Sequence, residues 1–342
     1  MAVRMKDIAE DLGISLVTVS KVLRNKPDVG ETTRKRVLQR VRDLNYQPNM
    51  LARGLASGKS YTIGLIVPDL VHTFFAELAK GVSAGLRKES YQLILASAEE
   101  EPELEHQEVE HLLARGVDAL LIASCQSSAA SFKSLLNSKV PYILIDRLLP
   151  KLNAYFVGTD DIAAGRLATE HLIQLGRLRI AHIGGKLIST SVGRLNGYKQ
   201  ALATNHIPFR QELVVIRSRL EEAGVQIGGN AMRDLLKLKQ RPDAVFCYND
   251  LTAVGAIRCL LNNKLRVPED VAVIGCGNLR LSAYLEVPLS SIDQSPQQQG
   301  EEAANLALSV LAGKQERREK RLLVEPKLIA RDSTIGREGQ TA

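Results

Sequence analysis

The sequence predicts a small all-α helix-turn-helix head, a hinge helix, and a two-lobed α/β body with parallel sheets. Three observations carry this. Two short amphipathic patterns meet at Gly13 in "MKDIAEDLGISLVTVSKVLRNK", and beyond residue 60 strand-like apolar runs alternate with helical patterns in two successive series. Charge is the third. The chain carries a net +7, and residues 1–60 hold 12 of its 45 Lys and Arg but only 6 of its 38 Asp and Glu, so the head contributes +6. A basic surface can serve solubility alone; concentrated in one small module, it favours a polyanion partner.

In the head, Ile8, Ala9 and Leu12 form one apolar face, and Gly13 permits a tight turn. Ser15 is placed to cap a second helix whose Val19, Val22 and Leu23 pack inward. A third helix is expected from Glu31 to Leu44, with Val37, Val41 and Leu44 as its apolar stripe and Arg34, Lys35, Arg36, Arg40 and Arg42 largely toward solvent. Such a head leaves its second helix free to enter a major groove. There Leu16 and Val17 could meet thymine methyl groups and Lys21 guanine O6 or N7; the alternative puts the apolar pair in the head's core and Lys21 in solvent.

The stretch "NYQPNMLARGLASGKSYTIG" then reads as about two helical turns from Asn49 or Met50 to Ser57, too short to be stable alone in water. Asn49 can cap it, and Ala52, Leu55 and Ala56 make a small apolar side. Two copies paired in a minor groove would stabilise each other, with Leu55 inserted between base steps. Gly54, Gly58 and Pro48 also suit a flexible linker, and the two readings describe two states of one segment.

Strand cores follow at "YTIGLIVPD", "YQLILASA", "VDALLIAS" and "VPYILID", and again at "RIAHIGG", "DAVFCYN" and "DVAVIGCG", with helical patterns such as "TFFAELAKGVSAGLRKE" between them. This alternation predicts parallel sheets covered on both faces, and its repetition predicts two lobes. Ligands of open α/β sheets bind beyond the strand C-terminal ends, so one cleft built by both lobes is expected. Asp146 and Arg147, directly after the apolar "YILI" run, are the sharpest candidates there, as an acceptor beside a rigid multidentate donor; a structural ion pair is the alternative. No tight glycine fingerprint with a ribose acid supports a Rossmann dehydrogenase. Cys125, Cys247, Cys259 and Cys276 lack CxxC spacing and read as free buried thiols, and His72, His171 and His182 as core or loop groups, so neither cofactor nor metal is expected. With no run long and apolar enough for a membrane span, a soluble cytoplasmic protein is expected.

The stretch "TVSKVLRNKPDVGETTRKRVLQRVRDLNYQPNMLARGLASGKSYTIGLIVPD" resembles the lactose-repressor family of bacterial transcription regulators, and the similarity runs through essentially the whole chain. The resemblance implies a helix-turn-helix domain at 1–48, a hinge helix and linker at 49–60, and a periplasmic-binding-protein-like sensor. Its N-terminal subdomain is expected at 61–160 and 291–323 and its C-terminal subdomain at 161–290 and 324–332; residues 333–342, with little apolar periodicity, are expected to form a mobile tail. It implies DNA contacts from Ser15, Leu16, Val17, Thr18 and Lys21 in the head and from Asn49, Arg53 and Leu55 in the hinge. Ligand positions carried over are Phe74, Asp146, Arg147, Thr190, Arg194, Asn249 and Gln294, with Asp160 and Asp250 near the cleft or its closing interface. The implied partners are double-stranded operator DNA with two half-sites, a second copy of the chain, and a sugar-like effector.

Three positions depart from the family pattern. Gly30 replaces a common serine before the third helix, Gly277 stands where an aspartate is common, and Leu220 where several relatives place an aromatic residue. Without tryptophan, stacking on an effector falls to Phe74 or a tyrosine, so a purine, a phosphorylated metabolite, a less polar ligand or a protein effector stays open beside a sugar. An enzyme, a transport binder and an architectural DNA protein are the competing classes; none has a catalytic constellation, or a use for both the head and the cleft, in its support.

Overall fold

The computed structural model describes residues 3–23, 26–46, 58–126, 128, 132–149, 152–217, 224–313 and 321–336. The hinge positions Asn49, Arg53 and Leu55, and Leu220, lie outside the described residues. The chain divides into two units, Met1–Ser60 and Tyr61–Ala342.

The first unit holds α1 (Met5–Leu12), α2 (Leu16–Leu23) and α3 (Glu31–Asp43). Asp7 reaches back to the Arg4 N–H at 2.7 Å to close the start of α1, and Gly13 ends it at φ +65°, the left-handed turn that glycine adopts without strain. Ile8, Ala9, Val19, Val22, Val37 and Tyr46 form the buried core. Tyr46 is the member that helical periodicity missed, because it lies beyond α3, whose last turn ends at Leu44. The basic row of α3 lies largely toward solvent, with Lys35, Arg36 and Arg42 exposed and Arg34 and Arg40 half-buried. Arg34 donates to the Lys26 carbonyl and Arg40 pairs with Asp11, so both fasten α3 to the rest of the head.

The second unit begins with β1 (Thr62–Val67), α4 (Thr73–Arg87), β2 (Gln92–Ser97), α5 (Pro102–Ala114), β3 (Ala119–Ile122), α6 (Lys133–Asn137), β4 (Tyr142–Ile145) and β5 (Tyr155–Thr159). It continues through α7 (Asp161–Gln174), β6 (Ile180–Gly184), α8 (Ser189–Thr204), β7 (Val214–Ile216), α9 (Gly224–Leu236), β8 (Ala244–Cys247), α10 (Asp250–Asn262), β9 (Ala272–Cys276) and β10 (Ser290–Asp293). The chain then returns by α11 (Pro296–Leu311) to β11 (Arg321–Val324), and ends in β12 (Lys327–Ile329) and α12 (Asp332–Ile335).

Two six-stranded sheets result, in the orders β11-β5-β4-β3-β1-β2 and β12-β10-β9-β8-β6-β7. The inner strands are buried runs rich in Ile, Leu, Val and Ala, as parallel strands covered on both faces must be, the edge strands β2, β7, β11 and β12 are only partly buried, and each sheet has an apolar core on either side. Every pairing is parallel except β10 with β12, which is antiparallel. The exception is geometric. With no helix between β11 and β12, the chain passes straight from the end of one sheet into the facing end of the other and must run backwards there.

Two boundaries differ from expectation. β10 belongs to the second sheet, so the chain leaves that lobe after Asp293 rather than at residue 290. Residues 333 and 334, expected in a mobile tail, are buried in α12: Ser333 donates to the Val273 carbonyl at 2.6 Å and accepts from the Ser290 N–H at 2.8 Å. Hydroxyl hydrogen bonds anchor this turn, and an apolar-periodicity reading does not register them.

Inside the second lobe the His182 ring lies between Tyr198 and Phe246, with centroids at 5.4 and 4.9 Å, and its Nδ1 donates to the Phe246 carbonyl at 3.1 Å. Burial pushes its pKa down to about 3 from 6.5, and burial lowers that of His171 as well. Unfolded histidine binds a proton below about pH 6.5 while folded His182 does not. Stability is therefore lost as pH falls from 6.5 toward 3, with a slope approaching ~1.4 kcal/mol per pH unit for each such histidine. In urea titrations between pH 6 and 4.5, His182→Asn should show a slope smaller by about one proton; an unchanged slope rules out His182 as its source.

Candidate functional site

Two surfaces carry the expected chemistry. In the head, Ser15 is the N-cap of α2: its Oγ accepts from the Thr18 N–H at 3.0 Å and lies 2.9 Å from the Thr18 hydroxyl. The cap directs Leu16 and Val17 outward at 48% and 63% exposure, high for apolar side chains in a helix with Val19 and Val22 buried behind it. Their exposure removes the core alternative for this pair. Lys21 shares that surface, but its ammonium is held by Asp28 at 2.5 Å, so it is paired rather than free in solvent.

The second surface is a cleft of about 340 Å³ lined by both lobes of the body. Its walls come from the C-terminal ends of strands in both sheets, because each sheet reverses its strand order there and neighbouring loops diverge. Asp69, His72, Phe74 and Phe75 follow β1; Glu100 follows β2; Asp146 and Arg147 follow β4. From the other lobe, Lys186, Thr190 and Arg194 follow β6, Tyr248 and Asn249 follow β8, Cys276 ends β9, and Gln294 follows β10.

Of the expected ligand set, Phe74, Asp146, Arg147, Thr190, Arg194, Asn249 and Gln294 line this cleft, and Asp160 and Asp250 do not. Asp160 caps α7, accepting from the Ala163 N–H at 2.9 Å. Asp250 is turned inward, where one oxygen accepts from the Leu279 N–H and Ser282 hydroxyl, each at 2.8 Å, and the other from the Ser291 hydroxyl at 2.5 Å. Four donors' worth of geometry is thus spent on structure. Gly277 also lies outside the cleft wall, at φ +129°, and Asn278 is drawn away from it by Arg331, which donates to its Oδ1 at 2.7 Å.

The polar groups in the wall differ in what they leave for a ligand. Asn249 caps α10 by accepting from the Thr252 N–H at 2.9 Å, which leaves its amide nitrogen for a ligand. Asp146, in the left-handed region at φ +61°, accepts no hydrogen bond among the described residues but lies 3.9 Å from Arg147 Nε as the ion-pair alternative expects, and burial raises its carboxyl above the ordinary value. Arg147 Nε and His72 Nδ1 are buried without hydrogen-bond partners, and burial keeps His72 neutral by lowering its pKa. His72 therefore departs from the satisfied loop group expected of it. Arg194 donates from Nε to Asp161 at 2.9 Å and from Nη1 to the Tyr248 carbonyl at 2.6 Å, which fixes its guanidinium against the wall. Burial pushes the Cys276 thiol up to about 12, so it faces the cleft protonated and not as a nucleophilic thiolate.

Sequence reasoning missed His72, Glu100, Lys186 and Tyr248. The strand-end rule could have found Tyr248, which directly follows the β8 run; Glu100 and Lys186 stand further into their loops and carry no local signal.

Residues 4–49 match the bacterial regulatory proteins of the lacI family, and residues 169–334 match the periplasmic binding protein-like domain. The HTH-type transcriptional regulator GalR of Salmonella typhimurium (strain LT2) is 35% identical over 330 residues, covering 96% of this chain and 95% of that protein. The chain belongs to the lacI family of bacterial regulatory proteins. Another relative is the HTH-type transcriptional repressor PurR of Aliivibrio fischeri, 32% identical over 341 residues and covering 97% and 98% of the two chains. Among solved structures, the lac repressor dimer bound to operator and the anti-inducer ONPF superposes with a TM-score of 0.84 at 26% identity, covering 98% and 99%. A CelR–cellobiose complex superposes with a TM-score of 0.72 at 30% identity, covering 97% and 99%. As a lacI-family member the chain is a DNA-binding transcriptional regulator whose binding is modulated by a ligand. Its relatives are regulators and not enzymes, and no described helix is long and apolar enough to cross a membrane.

Proposed function

We propose that the chain is a homodimeric repressor whose affinity for a two-half-site operator is set by a neutral, polyhydroxylated small molecule, a sugar or close relative, bound between the lobes. The observation that carries the effector class is the character of the spare groups in the cleft. Asp146 and the Gln294 side-chain carbonyl accept; the Asn249 amide donates; the Thr190 hydroxyl does either. Phe74 and Phe75, in edge-to-face contact at 5.1 Å, offer an apolar wall for a sugar ring face. A cavity of about 340 Å³ is within the size range of small-ligand sites, roughly 300–1,000 Å³. The CelR relative is described with cellobiose and the relative from Haemophilus influenzae is named a ribose operon repressor, which fits the same class.

Coupling requires that the effector bind two states of the body unequally. A cleft built from two lobes supplies them, since closure changes how the lobes meet. The two copies would present two α2 helices to successive major grooves, with Leu16, Val17, Thr18 and Lys21 reading bases and the capped start of α2, at Ser15, near phosphate. Residues 49–57, with Asn49, Arg53 and Leu55, would order as paired minor-groove helices only on operator. Large apolar side chains exposed on the body, Val71 at 89% and Tyr284 at 85%, suit cover by a second copy.

The test is selection of duplexes from a randomised pool by the purified full chain, repeated across a panel of neutral sugars. A two-fold-symmetric sequence should be enriched, one sugar should shift its affinity, and Leu55→Ala should weaken it while dimers persist. Folded dimers that prefer no sequence at any salt concentration, or that respond to no neutral polyol, defeat the reading.

A further inference from the structure

Among the described residues, each guanidinium that borders the cleft already holds a carboxylate of the chain: Arg194 holds Asp161, Arg217 holds Asp234, and Arg147 holds Glu100. The last pair differs from the others in its position. Arg147 donates from both terminal nitrogens, Nη1 to Glu100 Oε2 at 3.2 Å and Nη2 to Oε1 at 2.6 Å, the side-by-side geometry with which arginine clamps a free carboxylate or phosphate. The same carboxylate lies 3.7 Å from the Lys186 ammonium of the opposite lobe. Glu100 is therefore set between two cations at a ligand cleft, on a loop whose backbone is fixed at φ +57° and whose N–H donates to the Pro68 carbonyl at 2.8 Å.

We propose that Glu100 is a built-in anion that occupies the anion-clamping fork of Arg147 and so determines specificity, admitting neutral effectors and excluding carboxylated or phosphorylated ones. The proposal rests on the cleft being the effector site. An anionic ligand would have to displace Glu100 from both cations or lie beside its charge; a neutral polyol needs neither, because Asp146 and the Asn249 amide remain for its hydroxyls. Burial works against the Glu100 charge, but the hydrogen bonds and charge of Arg147, aided by Lys186, more than offset it and hold the carboxyl below its ordinary value. Glu100 is then ionised throughout the neutral range.

Inorganic phosphate is the probe, titrated by calorimetry into the full chain at constant ionic strength. Glu100→Ala and the near-isosteric Glu100→Gln should both bind phosphate at least about tenfold more tightly than the unaltered chain, and adding Arg147→Gln should abolish the gain. Should Glu100→Ala fail to fold, Glu100→Gln alone decides. Equal phosphate affinity with and without Glu100, or a gain that survives Arg147→Gln, overturns the proposal. Because phosphate binding needs no knowledge of the effector, a cleft that ignores every neutral sugar counts against the effector reading and leaves the role of Glu100 to be decided by phosphate.

Discussion

Replacing Arg194 with methionine is expected to weaken effector binding by about 100-fold, equivalent to ~2.7 kcal/mol, and to lower the stability of the body. Arg194 lies in the second turn of α8, 5% exposed, with its guanidinium at the cleft wall. A hydrogen bond to a charged group contributes about 1.5–3 kcal/mol, so one or two lost ligand contacts suffice for the binding effect. The stability effect has a separate origin. Methionine retains most of the side chain's bulk but leaves the Asp161 carboxylate buried without its cation, and breaking a buried pair from one side costs about 3–5 kcal/mol. Burial, opposed by Arg194, already raises the Asp161 carboxyl to about 6. Without that cation the carboxyl should take up a proton near neutrality, so the loss should shrink as pH falls toward 5. Adding Asp161→Asn should restore much of the stability and none of the effector affinity. Calorimetric titration and urea unfolding separate the two effects, and an Arg194→Met protein with undiminished effector affinity would remove Arg194 from the ligand set.

The fold was legible where a local rule decides the structure. Gly13 and Ser15 punctuate the head, and the short aliphatic runs could bury both faces only as parallel strands. Asp146 and Arg147 were legible because they directly follow such a run, and strand order then brings that end to the cleft. Glu100 and Lys186 were not, since their meeting depends on how two lobes face each other across 86 residues of chain. Asn249 and Asp250 show the limit most sharply. They are neighbours at the start of α10, yet the extended backbone of the cap residue sends Asn249 to the cleft wall while Asp250 turns to Ser282 and Ser291 beneath it. No local pattern distinguishes two polar residues whose directions are set by one change of backbone conformation.

Gly165→Ala in the sensor's second lobe is expected to cost at least ~3 kcal/mol and to weaken effector binding by about tenfold. A Cβ at Gly165 of α7 would stand 2.0 Å from the carbonyl oxygen of Arg194, and one at Gly197 of α8 would stand 2.1 Å from that of Ile162. Glycines on both helices thus let the two backbones touch, and that approach brings Arg194 to Asp161 at the start of α7. A backbone carbonyl cannot rotate aside as a side chain can, so the helices must separate and carry the guanidinium with them. Overpacking typically costs about 1–3 kcal/mol, and a backbone obstacle places this case at or above the upper end. Gly229→Ala is the matched control. It too is a helical glycine, but its nearest neighbour, the Gly255 carbonyl, is 3.5 Å away, and the gain in helix propensity should leave stability unchanged or raised by up to ~1 kcal/mol. Urea midpoints that fall equally in both variants would show that helix crossing distance does not set the position of Arg194; a loss confined to Gly165→Ala, accompanied by weaker effector binding, would show that it does.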